Sequence, residues 1–118
     1  MYFVDRSVAI IKPRQPFLDW LTSVAGDDMV DLTLDNLRAD CTALLVPEYD
    51  EPEEAVAWVD ERAEQLFRQE LASWHEDEAA WPADRSLMVF WQWFDVEFHS
   101  LVLDSVDEPI ENSPALDA

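Results

Sequence analysis

The chain has 118 residues, 49% of them apolar and 12% aromatic, and a net charge of −20. That length suits one domain, and six tryptophans argue against a chain kept disordered by its charge. So acidic a field repels nucleic acid and anionic membranes, which disfavours direct binding to either, and attracts basic proteins and cations.

The charge is unevenly spread. Residues 1–14 hold Arg6, Lys12 and Arg14 against Asp5, whereas the remainder sets Arg38, Arg62, Arg68 and Arg85 against 26 acids. A single cysteine, Cys41, permits no intrachain disulfide and reads as a small core hydrophobe inside "CTALLV". No stretch approaches the roughly 20 apolar residues that span a bilayer. The start, "MYFVDRSVAIIKP", has no basic leader before its apolar run, so a cytoplasmic location is expected by default.

In chain order, "SVAIIKP" at 7–13 predicts a β-branched strand covered on both faces and stopped by Pro13. "QPFLDWLTSV" predicts a short amphipathic helix, with Pro16 in its first turn and Gly26, the only glycine, as its stop. Thr33 is placed to cap a helix over 34–39. "CTALLVPE" at 41–48 predicts a second buried strand, ended by Pro47.

A long helix is expected from about residue 52 to His75, with Asp50 as its cap and Glu53 reaching back. Taking Glu53 as zero and about 100° per residue, Val56, Val59, Ala63, Leu66, Phe67 and Trp74 fall at roughly 220–320°. Glu53, Asp60 and Glu64 fall within about 20° of zero, Glu54 and Glu61 at about 80–100°, and Trp58 near 140°. The acid-rich run "PEYDEPEEAVAWVDE" is thereby divided into a core stripe and an acidic face. Glu70 is the exception. It lands near 260°, inside the apolar stripe, where a carboxylate must be paired or protonated.

Asp84 or Ser86 is placed to cap a further helix, "LMVFWQWF", although aromatics of this kind also favour strands. "DVEFHSLVLDSV" alternates Val96, Phe98 and Val102 with Asp95, Glu97 and His99, a strand with one wet face at its start. The whole order predicts an α/β or α+β fold, a small single-layer sheet of about three strands packed against helices. One globular domain is expected over 1–107, with 108–118 a fraying acidic tail.

"DRSVAIIKPRQPFLDW", "VPEYDEPEEA" and "FWQWFDVEFHSLVLDSVDEPI" resemble segments of a group of small acidic bacterial proteins of unknown function. The resemblance covers most of the chain and implies a bacterial cytoplasmic setting. It implies no activity.

One glycine cannot build a glycine-rich phosphate cradle, and one cysteine with two histidines cannot build ordinary structural zinc sites. No cofactor is expected. The largest feature is the acidic face: Glu51, Glu53, Glu54, Asp60, Glu61 and Glu64, with Trp58 beside it. Over a single helix these acids would be spaced at about 3.3 Å per charge, close to the phosphate spacing of one DNA strand, about 3.4 Å. The expected function is a non-catalytic interaction or accessory protein presenting this face to a basic protein partner; a DNA-mimicking regulator is its sharper form. The alternative is a metal-assisted or acid–base enzyme that uses Asp95, Glu97 and His99, which share a strand face, with Glu70. Ordinary solvated polarity is the favoured account of that strand face, because alternation alone predicts the pattern.

Overall fold

The computed structural model describes residues 1–26 and 31–115. Strand β2 (Arg6–Pro13) is the middle of an antiparallel sheet, flanked by β3 (Thr42–Pro47) and β4 (Phe94–His99). Helices α1 (Gln15–Ala25), α2 (Leu34–Arg38), α3 (Pro52–Glu61), α4 (Ala63–Trp74) and α5 (Leu87–Trp93) complete the body. A separate two-stranded ribbon joins β1 (Tyr2–Phe3) to β5 (Leu103–Asp104). Both pairings of the main sheet are antiparallel, so the fold is α+β.

The sheet has unlike faces. Ser7, Ala9, Ile11 and Pro13 of β2 are buried, whereas Val8, Ile10 and Lys12 are only half-buried. The strand expected to be covered on both sides is therefore covered on one. The register explains the difference. Val8 and Ile10 pair with Leu45 and Ala43 on one side and with His99 and Glu97 on the other, which leaves an open face of mixed polarity. Strand β3 also departs from expectation. It is an edge strand in which only Val46 is buried, and Cys41 lies half-buried just before it rather than in the core.

The core sits between the covered sheet face and the helices and is largely aromatic. Phe67 of α4 lies 5.2 Å from Trp93, 5.3 Å from Phe94 and 6.2 Å from Phe90 between ring centroids, the last two edge-on. Phe17 of α1 adds a ring 5.4 Å from Phe94. Tilted and edge-to-face rings bring the positive rim of one near the negative face of another. Two indoles anchor the connection after α4: Trp20 Nε1–H donates to the Ala80 carbonyl at 2.9 Å and Trp81 Nε1–H to the His75 carbonyl at 2.7 Å.

Caps follow the sequence closely. Thr33 and Asn36 form a reciprocal capping box on α2, Ser86 accepts from the Val89 N–H at the start of α5, and Gly26 ends α1 at φ +63°. The expected long helix is instead two helices. The chain breaks at Arg62 (φ −114°, ψ 10°), whose N–H still bonds to the Val59 carbonyl at 3.0 Å. The first cap is also displaced: the N-cap is Glu51, and the Asp50 N–H donates to Glu54 rather than to Glu53. The bend leaves Val56 37% and Trp74 42% exposed, although both fall on the expected core stripe, while Val59, Ala63, Leu66 and Phe67 are buried as that stripe requires. Leu87, at the first turn of α5, is exposed too. No helix among the described residues is long and apolar enough to cross a membrane. Residues 105–115 form no regular element and are exposed; the last three of the expected tail lie outside the described residues.

Candidate functional site

The acidic face is built by α3 and the loop that leads into it. Pro52 begins the helix with φ already set for it, and Glu53 and Glu54 occupy the first turn, where the helix dipole favours negative charge. Glu51, Glu53, Glu54, Glu61 and Glu64 are all exposed. Among the described residues only Glu61 of these has a cation beside it, Arg62 at 3.4 Å. Asp60 differs from the others: it is half-buried and accepts a 2.7 Å hydrogen bond from Trp91 Nε1, tying α3 to α5. Its carboxylate is a structural acceptor as well as a surface charge. Glu64 stands beyond the break, in the first turn of α4. The acids are thus divided between two helices, and a straight charge row along a single helix is not formed.

Trp58 is half-buried. The Arg62 guanidinium lies 3.3 Å from the centroid of its ring and donates to its carbonyl at 3.1 Å, a cation–π contact locked by a hydrogen bond. Trp58 also lines a cleft of about 140 Å³ with Tyr49 and Glu54.

The basic side chains are engaged elsewhere. Arg6 pairs with Asp5 at 2.9 Å, Lys12 with Glu97 at 3.1 Å, Arg14 with Asp95 at 3.8 Å and Arg68 with Glu78 at 3.6 Å. Arg38 donates to the Pro13 carbonyl and Arg85 to the Pro82 carbonyl, each at 2.8 Å. Lys12 and Arg14 therefore offset the acids of β4 rather than those of α3, and Arg6 offsets its neighbour Asp5.

Asp95, Glu97 and His99 do share one face of β4, the open one, as alternation requires. There Glu97 bridges Lys12 and His99, each at 3.1 Å. The Lys12 hydrogen bond, reinforced by its charge, holds the Glu97 carboxyl below its usual range. Glu70 lies on the other side of the sheet, in a cavity lined by the core-facing Ile11 and Thr42. The four residues of the enzymatic reading therefore do not converge. No group of three or more His, Cys, Asp or Glu side chains among the described residues is arranged to hold a metal ion.

Glu70 is buried, 8% exposed, on the inward face of α4. Burial pushes its carboxyl above the usual range, and a hydrogen bond with Thr42 partly opposes that. Arg6, Lys12, Arg14 and Arg38, cations that could approach it through the fold, each engage another group. The consequence for stability has a definite sign. The folded state holds the Glu70 proton more tightly than the unfolded state, so this contribution is fully present below the unfolded pKa, about 4.3. It is lost as pH rises through the folded value. Glu70→Gln, of the same shape without the charge, is expected to stabilise the protein above that range by roughly 1–3 kcal/mol, and not in acid. Urea unfolding of both proteins across pH tests this; a stability difference that stays constant with pH would contradict it.

No family model, curated protein or solved structure matches the chain.

Proposed function

We propose that the protein is a non-catalytic interaction protein that presents the acidic surface of α3 and the start of α4 to a basic protein partner. One observation carries the reading. Glu51, Glu53, Glu54 and Glu64 are exposed and have no internal counter-ion among the described residues, while every lysine and arginine is engaged by another group. Charge left in this state is met by solvent ions or by another molecule. A basic partner would be drawn in by the long-range field and would displace those ions on contact.

Trp58 stands beside this surface as a rigid aromatic, the residue type that anchors many protein interfaces. The proposal rests on exposed charge and not on a match to phosphate spacing, because the break at Arg62 divides the acids. A DNA-mimicking regulator remains the sharper form only if the captured partner itself binds nucleic acid. The bacterial, cytoplasmic setting belongs to the same proposal and rests on the resemblance of the three quoted segments.

Affinity capture from native lysate at low and moderate salt tests the reading. Specific partners should be basic and should be released as salt screens the contact. A set of specific partners that are all neutral or acidic would count against it.

A further inference from the structure

The cavity at the inner end of the sheet is a second place where charge is left unmet. It has a volume of about 220 Å³ and lies where β2, α1, α2, α4 and the start of β3 meet. Glu70 lines it from α4, Asp40 and Thr42 from the β3 side, and Phe17 and Ile11 supply apolar wall. Trp74, one helical turn beyond Glu70, also lines it and is exposed at 42%, an unusual position for a tryptophan that has no partner ring among the described residues. Glu70 is more than nine-tenths buried, and its hydrogen-bond partner is the neutral Thr42 hydroxyl.

From this geometry we infer that the cavity binds a small organic amine in its ammonium form, with the charge against Glu70 and the carbon body between Trp74 and the apolar wall. Several independent features favour this class of ligand. A buried carboxylate with no ion-pair partner among the described residues is costly, and an incoming ammonium offsets that cost. An indole beside the carboxylate attracts a cation through its ring face. The cavity lies beside the last turn of α4, Ser73 and Trp74, where the carbonyl end of the helix carries partial negative charge. Asp40 offers a second carboxylate. The volume is below the roughly 300–1,000 Å³ of clefts that hold drug-sized molecules, which limits the ligand to a compact amine. Asp40, Cys41 and Glu70 all line the cavity, but among the described residues they are not arranged as a ligand set for a metal ion.

The inference is independent of the acidic face of α3, and the test separates the two. Butylammonium and phenethylammonium chloride would be titrated into the full chain at mildly alkaline pH and followed by backbone amide and indole NMR shifts. Sodium chloride at equal ionic strength and n-butanol serve as controls. The expected result is saturable shifts confined to residues around Ile11, Thr42, Glu70 and Trp74, absent with both controls. Glu70→Gln, which keeps the fold, should weaken binding at least tenfold, and Trp74→Ala should weaken it several-fold. Three results would overturn the inference: no response to either amine beyond that of sodium chloride, shifts spread over the acids of α3, or an unchanged affinity in Glu70→Gln.

Discussion

Replacing Phe67 by alanine is expected to cost about 3–5 kcal/mol, the range for deleting a fully buried aromatic side chain. Phe67 is completely buried and is the ring that Phe90, Trp93 and Phe94 share, each within 6.2 Å. Its removal deletes three ring contacts at once and leaves a void between α4, α5 and β4. The surrounding rings cannot collapse into that void freely. Phe94 is fixed by its strand register with Pro13, and Phe90 packs against both Trp91 and Phe94. Since a domain of this kind has only about 5–15 kcal/mol of total stability, the variant should melt far below the native chain or fail to fold at ambient temperature. Circular dichroism melts decide it. A loss below about 1 kcal/mol would mean that this cluster is not the centre of the core.

The second large effect concerns binding. Changing Glu51, Glu53, Glu54, Glu61 and Glu64 together to glutamine reduces the net charge from −20 to −15 and removes the acids that the interaction reading invokes. Asp60 is left in place because Trp91 depends on it. Each exposed pair contributes little alone, about 0.2–1 kcal/mol. Five acting together on one partner are expected to weaken binding roughly 10- to 100-fold. Fold stability should change by less than about 1 kcal/mol, because lost dipole support at the first turn of α3 is offset by relief of like-charge repulsion. Isothermal titration with a captured partner, alongside urea melts, separates the two effects. Weakened binding that accompanies a destabilised fold would leave the surface without its proposed role.

Much of the architecture could be read from local chemistry. The β-branched run of β2, the Thr33 and Ser86 caps, the glycine stop at Gly26 and the i, i+4 stripe of Val59, Ala63, Leu66 and Phe67 each dictate a local structure that tertiary packing then reinforces. Glu70 showed itself as a carboxylate on that stripe, and it is buried. What could not be read depends on distant partners. Neither glycine nor proline marks the break at Arg62; there the side chain folds onto Trp58 while Asp60 is drawn to Trp91. The ribbon of β1 and β5 has two residues per strand, too few to carry a period. The open face of the sheet follows from where the helices pack, which the alternation within β2 does not encode.

The candidate sites divide along the same line. A single helix face predicts which acids are exposed, and five of the six are. It cannot predict that Lys12 and Arg14 would offset β4 and leave Glu53 and Glu54 of α3 without a counter-ion among the described residues. Nor could the sequence show that Glu70 and Glu97 would end on opposite sides of the sheet, because that depends on the pairing of Thr42 with Ile11 and of Glu97 with Ile10.

The most direct measurement is the affinity for a captured basic partner as a function of salt, taken for the native chain and for the five-site glutamine variant side by side. An acidic docking surface on α3 and α4 predicts steep weakening with salt for the native chain, and a weaker, flatter dependence for the variant. Superimposable curves would place the contact elsewhere on the molecule and contradict the account.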